Sequence, residues 1–238
     1  MPDSSRRLEQ AHLKTFFNFA IKRDWCATNP VVKLDSIEPK NGEVEIFSVT
    51  ETEALLNYAL DFDLRLLPYF IFTFLEGIRP DGEILKLEWK HVHQAGKHPE
   101  IVVEPSVAKT GRRRFVPIPK NARAWLEAYR QHGGVMEGLI VTYGREALRE
   151  HRRKAQGAAN IKTWIQSGAR HSFCSYWLAE HKGDVNKLVL ISGHDDPDTM
   201  WRHYHRGTTE AEAHKFWSIL PPVELPNVIA MKKVRKTA

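Results

Sequence analysis

Cysteine and long apolar runs are scarce in this sequence of 238 residues. The two cysteines, Cys26 and Cys174, are too few for a disulfide framework, and neither has the Cys or His spacing that holds zinc. No apolar run reaches the ~18–20 residues of a membrane span, and the polar segment Met1–Arg7 lacks a secretory apolar core. These absences predict a soluble cytoplasmic protein that binds neither a metal nor a membrane.

The composition is that of an ordinary globular protein, with 42% hydrophobic and 27% charged residues. The length suits one sizeable domain with a small appendage. A net charge of +6 and a pI near 9.3 suit a polyanionic partner, although many basic proteins never contact nucleic acid.

Polar segments divide the chain. Apolar residues recur at helical spacing over residues 8–23, and Asn29-Pro30 ends that element soon afterwards. Residues 35–45, with Pro39 and Gly42, read as a linker. We therefore expect a helical segment over 1–34, a main domain over 46–222 and a basic, disordered tail over 223–238.

The main domain reads as mostly helical. Ser48 and Glu51 have the spacing of a capping box, and a broad apolar stripe predicts a helix over residues 64–77. Gly183 and Gly193 lie where helices would end. Further helices are predicted over 122–129, 145–154, 170–181, 186–191 and 211–220.

Two short β-rich runs, 100–104 and 114–118, flank the turn-prone Lys109-Thr110-Gly111. They predict a hairpin with Lys109 at or near its tip. The fold class expected is α+β, mostly helical, with a small antiparallel sheet.

A set of side chains in the main domain suits phosphate chemistry. Breaking a phosphodiester without a metal needs a nucleophile, a cationic clamp for the non-bridging oxygens and an acid for the departing alkoxide. Arg79 and Arg170 can form the clamp, because a guanidinium binds two phosphate oxygens at once. Lys109 can protonate the leaving oxygen, His194 can act as donor or base, and Tyr204 can attack the phosphorus.

In this order the residues resemble the tyrosine recombinases, the phage integrase family. The motifs that carry the resemblance, which spans roughly residues 8–220, are Gly77-Ile78-Arg79, Leu87-Glu88-Trp89, Arg170-His171-Ser172-Phe173, Gly193-His194 and Tyr204. It implies the integrase catalytic-domain fold and a catalytic set of Arg79, Lys109, Ser167, Arg170, His194 and Tyr204. It also implies site-specific cutting and rejoining of double-stranded DNA through a 3′-phosphotyrosyl link, by a homotetramer that needs no cofactor.

The sequence departs from the family pattern in three places. Ser167 stands where histidine is commonest, and Glu83, the expected supporting carboxylate, follows Arg79 by four positions rather than three. The family's helical core-binding domain, of SAM-like fold, is represented only by a final helix over residues 8–23. We therefore expect an N-terminally truncated recombinase.

Several residues have more than one interpretation. Arg112, Arg113 and Arg114 are either DNA-backbone contacts or only a charged hairpin tip. His171 is a structural or supporting neighbour of the site, and Tyr204 alone could be a core aromatic. The helix over 211–220 can dock on a neighbouring protomer or pack on its own domain.

Two other functions share this constellation. A type IB topoisomerase-like enzyme would relax supercoils as a monomer. A truncated integrase relic would keep the fold and bind DNA or a partner without productive recombination. Salt-sensitive DNA binding is common to all three and does not separate them.

Overall fold

The structure, a computed structural model, describes residues 3–37, 44–205 and 207–222. The chain divides into two compact units, Met1–Gly42 and Glu43–Ala238. The middle of the predicted linker, residues 38–43, and the predicted tail, 223–238, lie outside the described residues. Within the described parts, no helix is both long and apolar enough to cross a bilayer.

The first unit consists of helix α1, Asp3–Ile21, and a 3-10 turn, Pro30–Lys33. Asn29 joins them, since its side-chain amide donates to the Lys14 carbonyl at 3.0 Å and to Asn18 Oδ1 at 2.7 Å. Its Oδ1 accepts the Val31 N–H and so caps the 3-10 turn. The predicted helix is confirmed, and it begins five residues earlier than the apolar pattern indicated.

The second unit is mostly helical. The helices are α2 Val49–Phe62, α3 Leu67–Phe70, α4 Lys120–Gln131, α5 Arg145–Ala158, α6 Gly168–Glu180, α7 Val185–Ser192, α8 Pro197–Tyr204 and α9 Glu210–Trp217. Each predicted helix of this unit is present. Sequence reasoning missed α8, because its composition is polar and Met200 is its one fully buried apolar side chain among those described.

Three short antiparallel strands form a sheet of order β1-β2-β3: Val92–His93, Glu100–Val103 and Arg114–Pro117. Ile101 faces Val116 in the β2–β3 register, and both side chains are buried. The predicted hairpin is therefore confirmed, and so is the fold class. Two residues of β1 are too few to give a sequence pattern.

The start of the second unit is tied to α6. Ser48 Oγ accepts the Glu51 N–H at 3.2 Å while the Glu51 carboxylate accepts the Ser48 N–H at 2.8 Å, so the predicted capping box is confirmed. The Phe47 N–H donates to Ser172 Oγ at 2.8 Å, and the Tyr176 hydroxyl donates to the Phe47 carbonyl at 3.1 Å. These bonds hold α6 against the entry to α2.

The segment predicted as one helix over 64–77 changes type along its length. A 3-10 turn, Leu64–Leu66, leads into α3 and then into a π-turn, Ile71–Leu75. The Ile78 N–H bonds to the Phe72 carbonyl at 2.9 Å, and Gly77 takes a φ of 63°. A Cβ on Gly77 would lie 2.3 Å from the Phe173 ring. The chain turns after the wider π-turn, and the Gly77 carbonyl accepts a hydrogen bond from Arg170 on α6.

Helix α9 packs on its own unit. Phe216 stacks on Tyr176 with ring centroids 4.2 Å apart, and the Trp217 indole donates to the Tyr176 carbonyl at 3.2 Å. The Trp125 indole donates to the Ile219 carbonyl at 3.2 Å. Of the two placements expected for this helix, the structure has the internal one.

Candidate active site

All six predicted catalytic residues line one cleft of about 610 Å³. They come from separate parts of the second unit: the turn after the π-helix, the β2–β3 loop, the start of α6, the residue after the α7 C-cap and the end of α8. In chain order they are Arg79, Lys109, Ser167, Arg170, His194 and Tyr204. Tertiary folding therefore brings residues 125 positions apart into one site.

Arg170 lies at the floor of the cleft with 4% of its surface exposed. Its guanidinium donates to the carbonyls of Gly77 and Ser192, both at 2.5 Å, so its orientation is fixed before any substrate arrives. Burial lowers the pKa of Arg170 to about 10, and the neighbouring charge of Arg79 adds to this shift. At neutral pH the group stays cationic.

Glu83 organises the cationic groups around it. Its buried carboxylate accepts from Arg114 Nη1 at 3.0 Å, from Arg79 Nη1 at 2.7 Å and from the Lys109 N–H at 3.2 Å. Burial alone would raise its pKa, but the hydrogen bond and charge of Arg114, with the charge of Arg79, lower it to about 2. Although Glu83 follows Arg79 by four positions rather than three, its carboxylate still lies at the floor of the cleft and binds Arg79.

Arg79 completes the cationic floor. Its Nη2 donates to the Gly193 carbonyl at 2.7 Å, in addition to the bond from Nη1 to Glu83. Because the side chain also lines the cleft, its guanidinium can bind a phosphate there.

His194 follows Gly193, which ends α7 in the left-handed conformation with φ 67°. Its Nδ1 lies 2.8 Å from Ser192 Oγ and 3.4 Å from Arg170 Nη2, so Nε2 is the nitrogen left for a substrate. Burial lowers the pKa of His194 to about 3, and the charges of Arg170 and Arg79 add to this. The ring is therefore neutral at pH 7.

Tyr204 is the last residue of α8, and it lines the cleft although only 6% of it is exposed. Its hydroxyl lies 2.8 Å from His171 Nδ1. Burial raises the pKa of Tyr204 despite the opposing charges of Arg170 and Arg79. The phenol is therefore protonated at neutral pH.

His171 has a closer role than the sequence indicated. We expected a supporting or structural residue beside Arg170, and the structure places it in contact with the hydroxyl of Tyr204, 33 residues away in the chain. Burial lowers the pKa of His171 to about 4, with contributions from Arg170 and His203. No local pattern in the sequence could have indicated this contact.

Ser167 precedes α6 in a left-handed conformation, with φ 55° and ψ 11°. Its side chain lines the cleft and is partly exposed. A serine hydroxyl here can donate a hydrogen bond to a phosphate, but at neutral pH it does not accept and hold a proton as an imidazole does.

The β2–β3 loop forms the rim of the site. Lys109 is exposed and lies between the strands, as predicted for the hairpin. With Arg79 and Arg112 it also lines a second hollow of about 550 Å³ beside the cleft. Arg112 lies 3.7 Å from Asp195, and Arg113 binds Glu104 through two nitrogens at 2.9 and 2.7 Å.

Arg114 departs from the expected DNA-contacting set. Its side chain points inward, where Nε donates to the Ile191 carbonyl at 3.0 Å and both terminal nitrogens donate to Glu83. Arg114 is the first residue of β3, in which alternate side chains are buried, whereas Arg112 and Arg113 lie in the preceding loop and are exposed. Arg114 supports the floor of the cleft instead.

Within the described residues, no group of three or more His, Cys, Asp or Glu side chains is placed to hold a metal ion. Comparison with protein families then gives a direct match: residues 45–210 fit the phage integrase family. The chain belongs to the phage integrase family. The resemblance stated from the sequence is thereby confirmed, and the match coincides with the unit that contains the cleft.

Solved structures of integrases and recombinases share the fold. A lambda integrase dimer bound to a COC′ core site matches with a TM-score of 0.63 and 16% identity, over 86% of this chain and 60% of that chain. The Tn1549 transposon integrase in complex with circular intermediate DNA matches with a TM-score of 0.57 and 17% identity, over 90% and 79%. XerA recombinase matches with a TM-score of 0.52 and 15% identity, over 88% and 82%. No curated protein matches the sequence.

Proposed function

We propose that this integrase-family chain is a site-specific recombinase that cuts and rejoins double-stranded DNA through Tyr204. The observation that carries the proposal is the shared cleft, which the side chains of Tyr204, Arg79, Arg170, His194 and Lys109 all line. A phosphate that enters this cleft meets a nucleophile and a cationic clamp together.

The cleavage step follows from these positions. Tyr204 loses its phenol proton to a base as its Oη forms a bond to phosphorus, the bond from phosphorus to the 5′ oxygen breaks, and Lys109 donates a proton to that oxygen. Arg79 and Arg170 stabilise the charge that develops on the non-bridging oxygens, and His194 is a further contact for the phosphate. The products are a 3′-phosphotyrosyl link and a free 5′-hydroxyl. Rejoining reverses each transfer, so the bond energy is kept without ATP or a metal.

Double-stranded DNA is the proposed partner, and a homotetramer is the proposed assembly for strand exchange. Exposed Arg112 and Arg113 flank the cleft on the hairpin and can contact backbone phosphates. Two of the solved structures of similar fold hold a core site or circular intermediate DNA. Both cysteines are free thiols, which suits the reducing cytoplasm that we propose as its location.

Covalent trapping tests the proposal. The protein is incubated with nicked duplexes from DNA flanking its gene, designed to lose the short 5′-hydroxyl strand after cleavage, and denaturant-resistant adducts are counted. We expect an adduct with the wild type, none with Tyr204→Phe, and an unchanged yield with the matched control Tyr58→Phe, on α2.

Two results would separate the other functions. An adduct accompanied by fast relaxation of supercoiled plasmid by monomers would favour a topoisomerase-like enzyme. DNA binding without any adduct, on every flanking sequence, would contradict the proposal and favour a relic that only binds.

A further inference from the structure

We propose that His171 is the base that takes the proton from Tyr204 in this chain. This inference rests on the proposed cleavage reaction and assigns its proton acceptor. His171 lies in the first turn of α6 and Tyr204 in the last turn of α8. The residue thus touches the reacting oxygen itself.

The geometry supports proton transfer between the two side chains. His171 Nδ1 lies 2.8 Å from Tyr204 Oη, within the range for a hydrogen bond between a base and the proton that it takes. The two rings are tilted by 34°, with centroids 5.7 Å apart. A Tyr204 that donates to Nδ1 leaves the His171 proton on Nε2, the tautomer of a neutral acceptor.

Other groups in the cleft are less suited to this role. His194 already has its Nδ1 at 2.8 Å from Ser192 Oγ, and its ring centroid lies 6.3 Å from that of Tyr204. Ser167 carries a hydroxyl that does not bind a proton at neutral pH. The assignment therefore divides the two histidines: His171 as base and His194 as a contact for the phosphate.

The electrostatic surroundings keep His171 unprotonated, so that Nδ1 is free to accept a proton, although they also make the free ring a weak base. Burial, Arg170 and His203 lower its pKa to about 4, so the ring is neutral before DNA binds. Tyr204, whose pKa is raised, and His194, whose pKa is lowered, are neutral as well. A phosphate anion in the cleft opposes this shift and favours the imidazolium. Substrate binding thus strengthens the base at the moment of attack.

The step balances in protons and electron pairs. As the Oη–P bond forms, the Tyr204 proton passes to His171 Nδ1, and as the P–O5′ bond breaks, its electron pair stays on O5′, which takes a proton from Lys109. In rejoining, the 5′-hydroxyl returns a proton to Lys109, and His171 returns its proton to Tyr204 as the Oη–P bond breaks.

The test measures single-turnover adduct formation between pH 6 and 9 on the trapping substrate. His171→Gln keeps a polar side chain of similar size but cannot hold the proton. We expect a loss of ~100-fold at pH 7, the scale of general-base catalysis. We also expect the remaining rate to rise about tenfold per pH unit, because Tyr204 must then ionise to solvent. The two curves should converge near pH 9.

A second substrate separates the effect of losing the base, His171, from the effect of losing the acid, Lys109. With a bridging sulfur in place of the 5′ oxygen, the leaving thiolate needs no proton, so Lys109→Ala should recover while His171→Gln should not. The control His205→Ala, an exposed histidine directly after Tyr204, should match the wild type. Thermal melting checks that each variant is folded, and His171→Asn replaces any His171→Gln protein that is not.

The outcomes separate the inference from the function on which it rests. If the wild type forms an adduct and His171→Gln stays within threefold of it, or loses rate with an unchanged pH profile, His171 is not the base and Tyr204 remains the nucleophile. If the wild type and Tyr204→Phe both give no adduct, the proposed function itself fails.

Discussion

Two neighbouring arginines of the hairpin make ion pairs that differ in their exposure to solvent. Arg114 pairs with Glu83 at the floor of the cleft, where the two side chains are 5% and 1% exposed. Arg113 pairs with Glu104 at the rim, where they are 57% and 30% exposed. The residue types are the same, and the distances, 2.5 and 2.7 Å, are close.

Burial makes the difference between these pairs. Water and salt screen the Arg113–Glu104 pair, so it can open at little cost and release Arg113 for another anion. The Arg114–Glu83 pair is buried away from water, so removing Glu83 leaves the buried charge of Arg114 uncompensated. The floor is therefore arranged in advance, while the rim pair can open and bind another anion, such as the proposed DNA.

The largest expected effect is on folding stability. Glu83→Ala should lower the free energy of unfolding by ~3–5 kcal/mol, because it leaves Arg114 buried without its carboxylate. The matched change Glu104→Ala should cost less than ~1 kcal/mol. Denaturant unfolding of both variants measures the contrast, and equal losses would contradict the distinction between floor and rim.

The acid dependence of stability should sharpen the comparison. The folded pKa of Glu83, about 2, lies below its unfolded value, so its contribution is present above pH ~4.3 and is lost as pH falls toward 2. The stability difference between the wild type and Glu83→Gln should therefore shrink by ~3 kcal/mol between pH 5 and 2. Unfolding curves across this range measure it, and a difference independent of pH would count against an ionised Glu83.

The smallest expected effect concerns the rim. Arg112→Gln and Arg113→Gln should each reduce the slope of log binding constant against log salt concentration by about 1, since each removes one phosphate contact. Arg130→Gln is the control, because Arg130 makes an exposed pair with Glu127 on α4 and does not line the cleft. Titrations of labelled duplex at several salt concentrations measure the slopes. An equal reduction with Arg130→Gln would contradict a specific role of Arg112 and Arg113 in DNA binding.

Local patterns in the sequence were enough for much of the fold. The capping box of Ser48 and Glu51, the β-rich runs around Lys109 and the glycine at position 193 depend on neighbours within a few residues, and the structure has each of them. The family resemblance follows from the order of motifs, which the match over residues 45–210 confirms. The same motifs identified the six candidate catalytic residues, all of which line the cleft.

Only the tertiary structure decided which of these side chains meet. Arg113 and Arg114 look alike in the sequence, but Arg113 is exposed in the loop before β3, whereas Arg114, the first residue of β3, reaches Glu83, 31 residues away. His171 acquires its contact with Tyr204 because α6 and α8 pack together, and Arg170 is held by the carbonyl of Gly77, which follows the π-turn. Burial and long-range contacts set the charge state and pKa of each side chain and decide which groups it contacts. These properties arise only when the whole chain has folded.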